Sequence, residues 1–274
     1  MRGIWFQCAR MQLPSFVLFS RPSVATGPAV PGGVPPYSRS DAWSFYVLHV
    51  WIPVIAFAAL SALLMGLHGD FWLADRLYAM EGHAWTLQSG YFTQDLLHAA
   101  GRQASKNAWF VLLLMVVVSL FAPAATKWRT PLAYLLLATL LSTAAVGVLK
   151  RWTNMDCPWD LLRYGGNHSY YGLFTHRPSL LGRATCFPAG HASAGYAWIA
   201  LYFFFAATRP RWRWWGLGFG LAAGLVFGIA QQLRGAHFLS HDLWALMICW
   251  LVALALSRAM LPGRPAAAFS EAAA

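Results

Sequence analysis

Charge is scarce in this sequence. Of 274 residues only 11% are charged, and just 9 are acidic against 20 lysines and arginines. A water-soluble globule carries about 25% charged residues, so a fold with an ordinary solvated surface is excluded. Apolar residues take up the difference: 58% of the chain is hydrophobic, with 15 Trp and 18 Phe. The shortage of acids leaves a net charge of +11, a balance shared by chains that bind nucleic acid. The cations here lie between apolar runs rather than in a basic stripe with interleaved aromatics, which argues against nucleic acid as a partner. No internal repeat of fixed period is evident.

Six segments, near 43–67, 108–123, 131–149, 189–207, 214–232 and 238–259, are apolar and long enough to cross roughly 30 Å of hydrocarbon. The expected fold is all-α, a six-helix transmembrane bundle with an outer-face active-site loop. Residues 1–41 are expected to be a disordered or mis-started extension, because the apolar patch MQLPSFVLF is short for a signal sequence and no A-x-A site follows it. Residues 42–260 form the membrane domain and 261–274 a disordered tail. Lys127, Arg129, Arg209, Arg211 and Arg213 fall in the short connections of one side, with Arg2, Arg10, Arg21, Arg39, Arg258 and Arg264 in the terminal regions. By the positive-inside rule that side is cytoplasmic and holds both termini.

Three segments then face outward: 68–107, about 150–188, and 233–237. In the first, FTQDLLHAAGR has helical spacing and is expected to lie at the interface as an amphipathic helix. His83 and His98 read as surface histidines. The second loop carries Lys150, Arg151, Arg163, Arg177 and Arg183 on the side that normally avoids cations. Either they meet lipid headgroups or they build an anion pocket that receives a phosphate. CFPAGHASAGYAW reads as a loop ending at Pro188 and small residues opening a helix. The backbone N–H groups of Ala189, Gly190 and His191 would then face an anion at a helix N-terminus, and His191 would be a general acid or a structural histidine.

Three motifs in order resemble the type-2 phosphatidic acid phosphatase family, relatives of bacterial acid phosphatases and vanadium haloperoxidases. That signature runs Lys-x6-Arg-Pro, Pro-Ser-Gly-His, then Ser-Arg-x5-His-x3-Asp. Here Lys150 is followed after six residues by Cys157-Pro158, PAGH stands at 188–191, and RGAHFLSHD supplies His237. The resemblance implies phosphoryl transfer without a metal or other cofactor: His237 attacks phosphorus, His191 protonates the departing oxygen, and Lys150 neutralises the oxyanions. Four positions depart from the pattern. Cys157 and Gln231 replace arginines, Ala189 replaces serine, and His241 stands where aspartate is expected, with Asp242 next to it.

Arg234, one helical turn from both Gln231 and His237, is a replacement cation, as are Arg183 and Arg151. His241 or Asp242 would orient His237. An alternative register makes His241 the nucleophile, and a third reading takes His237 and His241 as a metal pair, with no zinc-protease glutamate between them. Cys157 and Cys186 both fall outside and are expected to form a disulfide pinning the Lys150 segment to the His191 segment, or else to stay free. Cys8 lies inside and Cys249 packs within the last span. Asp156 and Asp160 would pair with loop arginines, or Asp160 would touch substrate, and Trp159, Tyr164, Tyr170 and Tyr171 fit an aromatic belt.

The expected activity is hydrolysis of a lipid phosphate or diphosphate, with membrane lipids as surroundings. A lipid phosphotransferase uses the same histidine step, and a non-catalytic headgroup-binding protein with a degenerate site is the reading from another class. An anion transporter is disfavoured, because the spans hold almost no ionisable residue.

Overall fold

The computed structural model describes residues 39–91 and 100–261. The expected extension up to residue 38, the tail from 262, His98 and most of the expected interfacial helix lie outside the described residues. All regular structure among the described residues is helical: α1 (Arg39–Tyr46), α2 (Ile52–Ser61), α3 (Gly69–Met80), α4 (Gly101–Phe121), α5 (Thr126–Thr153), α6 (Gly190–Tyr196), α7 (Leu201–Thr208), α8 (Arg213–Leu233) and α9 (Leu239–Met260). Single π turns, Val47–Trp51 and Ala62–Gly66, follow α1 and α2 and carry the first span through without a break.

Five of the six expected spans are helices long and apolar enough to cross a membrane: Trp43–Gly66, Gly101–Phe121, Pro123–Asp160, Pro210–Leu233 and Leu239–Met260. The sixth segment differs in form. Residues 190–208 are α6, a 3₁₀ stretch over Ala197–Ala200, and α7 in direct succession. Its residues are largely buried, among them Ala192, Ala197, Ile199, Tyr202 and Phe203, so it is the centre of the bundle rather than a lipid-facing rod. Large apolar side chains of the outer helices, such as Ile55, Leu114 and Phe219, are exposed, as a hydrocarbon solvent requires.

Close packing at this centre has a sequence cause. Helix α8 places Gly216, Gly220, Gly224 and Gly228 four apart, all buried, the small-residue spacing that lets membrane helices approach backbone to backbone. A Cβ on Gly220 would lie 2.3 Å from the Ile199 nitrogen, and one on Gly195 2.5 Å from the Ala223 carbonyl carbon. Tyr134 adds a cross-tie, its hydroxyl donating to the Ala253 carbonyl at 3.1 Å. His49 Nε2 lies 3.0 Å from the Tyr202 hydroxyl, and Trp250 Nε1 donates to the His49 carbonyl at 2.8 Å. These bonds satisfy polar groups that lipid could not.

Helix α5 ends at Asn154, which takes the left-handed conformation (φ 47°) that asparagine tolerates better than most residues. Its Oδ1 accepts the Ala184 amide at 2.8 Å, which folds the 154–189 loop back on itself. At the opposite end of the bundle, Arg129 donates to the Ser119 and Leu120 carbonyls at 2.7 and 2.9 Å and closes the C-terminus of α4.

Candidate active site

Three connections meet at one end of the bundle. The Trp159 amide donates to the Gly235 carbonyl at 2.9 Å. Arg163 forms a paired contact with Asp75 at 2.7 and 2.6 Å. Gly235 holds φ +67°, and a Cβ there would strike the Trp85 ring at 2.4 Å, so glycine is required by conformation and by space. Asp156 anchors the long loop: Arg177 Nε and Nη2 each donate to it at 2.7 Å, and His168 Nδ1 lies 2.8 Å away. Cys157 and Cys186 are joined by a disulfide, with Cα atoms 5.2 Å apart. This bond and the Cys186 amide, which donates to the Met155 carbonyl at 3.2 Å, tie the exit of α5 to the entrance of α6.

His237 lies in the turn between α8 and α9 and is buried. Its Nδ1 faces Nδ1 of His241, one turn into α9, at 3.3 Å. Burial holds its pKa well below the ordinary imidazole value, and the charges of His241, Lys150 and His191 push it further down, against a smaller opposing effect of the Cys186 carbonyl. His237 is therefore a neutral imidazole whose surroundings include the Lys150 ammonium and His191. Lys150, in the last turn of α5, lies over the start of α6: a Cβ on Gly190 would sit 3.4 Å from its Nζ. Phe187 and Phe238 wall His241 edge-on at 5.2 and 5.5 Å, which keeps the pair of rings dry.

Other expected site residues lie elsewhere. Asp242 turns to α8, where Gln232 Nε2 donates to its Oδ2 and where Gly228 leaves it room; its remaining oxygen, Oδ1, is buried without a hydrogen bond. Of the two, His241 is the one that faces His237. Arg234 is buried, but its Nε donates to the Gln88 carbonyl at 2.8 Å and its Nη1 to Gln231 Oε1 at 3.1 Å. It thus closes the first outer segment over the turn. Arg183 is exposed. The Ala189 amide donates to the His241 carbonyl at 3.0 Å, so the open amides at the start of α6 begin at Gly190. Neither His237 nor His241 belongs to the one cluster of three potential metal ligands among the described residues, Cys157, Asp160 and Cys186.

Two contributors escaped the sequence reading. Asp70, at the start of α3, accepts the Ser240 amide at 2.9 Å and caps α9 from another helix; burial raises its pKa. Gln232 holds Asp242. The pair of glutamines at the polar end of α8 was a visible signal, whereas nothing local marks Asp70 as a cap.

Neither the curated proteins nor the solved structures searched returned a match. The family model described as the PAP2 superfamily matches residues 131–263, an interval that contains Lys150, His191, His237 and the disulfide between them. Over residues 131–263 the chain is a member of the PAP2 superfamily.

Proposed function

We propose that the protein is an integral-membrane phosphatase that hydrolyses a lipid phosphate or diphosphate through a phosphohistidine at His237. The observation that carries this reading is geometric: His237 is buried against His241, the His241 carbonyl holds the Ala189 amide, and Lys150 lies over Gly190, the neighbour of His191. The tautomer that carries its hydrogen on Nδ1, the nitrogen facing His241, leaves the His237 Nε2 lone pair for attack on phosphorus. The phosphorus–oxygen bond to the lipid breaks as His191 gives its proton to the departing oxygen. Water then attacks the phosphohistidine, His191 takes a proton from it, and phosphate and neutral His237 are restored. Lys150 and the amides of Gly190 and His191 counter the charge on the phosphoryl oxygens. His241 takes the orienting role that aspartate has in the family signature.

Candidate lipids are polyprenyl diphosphates, phosphatidyl phosphates and lipid A, and a phosphotransferase would pass the phosphohistidine to a lipid instead of water. The placing we favour is a bacterial inner membrane, with both termini cytoplasmic and the site facing the periplasm. The clustering of Lys127, Arg129, Arg209 and Arg211 at the end opposite His237 supports that orientation.

The test is phosphate release from a panel of lipid phosphates by detergent-purified protein in EDTA. His237→Ala is expected to lower the rate at least about a thousandfold, and His191→Ala about a hundredfold or more. Wild type at the level of His237→Ala on every lipid would favour the headgroup-binding reading instead. The engagement of Arg234 by Gln88 and Gln231 is the observation on that side.

A further inference from the structure

A cavity of about 570 Å³ opens beside this site, between α4, α5 and α6. Its wall includes Gly190, which abuts Lys150, and Gly147, one turn before Lys150 on α5. The facing wall is one stripe of α4, where Arg102, Ser105, Lys106 and Trp109 recur at helical spacing. Ser105 Oγ donates to the Ala194 carbonyl at 2.9 Å and accepts from Trp198 Nε1 at 3.2 Å, which holds that stripe against α6. From Arg102 to Phe110 the cavity follows α4 for about 12 Å, passing from two cations to aromatic and aliphatic side chains.

Arg102 and Lys106 are exposed and have no acidic partner among the described residues. Both lie at the site end of a membrane span, where cations attract anionic groups. In the phosphatase reading Lys150, which lies over Gly190, serves one phosphoryl group.

We propose that Arg102 and Lys106 bind a second anionic group on the same lipid, with one of its chains in the groove below, and so select lipid diphosphates over monophosphates. The inference rests on the phosphatase reading for the position of the first phosphate. A chain lying between Trp109, Phe110 and Leu140 would fix the headgroup at the depth where one phosphate meets Lys150 and the next meets the α4 cations. Ion pairing and charge-assisted hydrogen bonds to a diphosphate would supply the discrimination.

The experiment measures equilibrium binding to the detergent-purified full chain. The probes are dioleoylglycerol diphosphate, dioleoyl phosphatidic acid and inorganic phosphate, each in EDTA and on the His237→Ala background so that nothing turns over. Expected is about a tenfold preference for the diphosphate lipid, lost in Arg102→Gln/Lys106→Gln while affinity for phosphatidic acid changes less than about threefold. Gly147→Leu, which projects into open space, is expected to weaken both lipids and leave inorganic phosphate unchanged. No preference in the parent, or a preference that survives the double glutamine substitution, overturns the proposal. Phosphate release by wild-type protein is measured in parallel. An intact binding preference without release would count against the phosphatase reading and leave the subsite standing.

Discussion

A buried imidazole is expensive to charge, and His237 gives that cost a direction. Its folded pKa lies well below the ordinary value of 6.5, so in acid the unfolded chain takes up a proton that the folded chain refuses. Stability from this residue is therefore complete above about pH 6.5 and falls as the pH drops below it, by at most about 1.4 kcal/mol per pH unit. Unfolding of detergent-purified protein between pH 7.5 and 5 should show a gentler acid slope for His237→Asn than for wild type, and equal slopes would refute the argument. His241 is the second residue worth isolating. Its Nδ1 lies 3.3 Å from Nδ1 of His237. His241→Ala should lower phosphate release about a hundredfold while His241→Asn, which restores an acceptor, recovers part of it.

Among the elements, α8 and α9 carry the site, and each is held by contacts beyond its own hydropathy. Asp70 caps α9 through the Ser240 amide, two residues from the turn that presents His237. Asp70→Ala is expected to cost about 1 kcal/mol, with Asp70→Asn costing less because its amide oxygen still accepts. Unfolding curves check the ranking, and an alanine variant as stable as asparagine would overturn it. On α8, the glycine stripe lets Ile199 approach Gly220. Gly220→Leu meets backbone atoms that no rotamer change can move, so it should abolish the folded monodisperse protein in size-exclusion chromatography, whereas Gly218→Leu, in open space, should not. The spans were legible because twenty-residue apolar runs have few other destinations, and Lys150, His191 and His237 because their order and spacing survive in the chain. The stripe GLGFGLAAGLVFG was written in the sequence too, but hydropathy averages over spacing and hides it. Asp70, the bonds that draw Arg234 to Gln88, and the turn of Asp242 away from the histidines depend on tertiary neighbours that no local pattern announces.

At the scale of the whole molecule, the His237 end is a set of loops fastened onto the helix bundle, and its disulfide bears on the compartment proposed for it. The disulfide between Cys157 and Cys186 closes a sequence separation of 29, a loop worth roughly 3–4 kcal/mol in the chain-entropy picture. It forms spontaneously only where the surroundings oxidise thiols. Lys127 and Arg211 stand exposed in the short connections of the opposite end. Both features fit the proposed orientation, in which the His237 end faces away from the cytoplasm. In a background with Cys8→Ser and Cys249→Ser, a cysteine introduced at the exposed position 183 should react with a membrane-impermeant maleimide on intact bacterial cells whose outer membrane has been permeabilised. A cysteine introduced at position 127 should react only after the inner membrane is broken. The reverse pattern would place the site and its disulfide in a reducing compartment, and with them the orientation argued from the cations would fall.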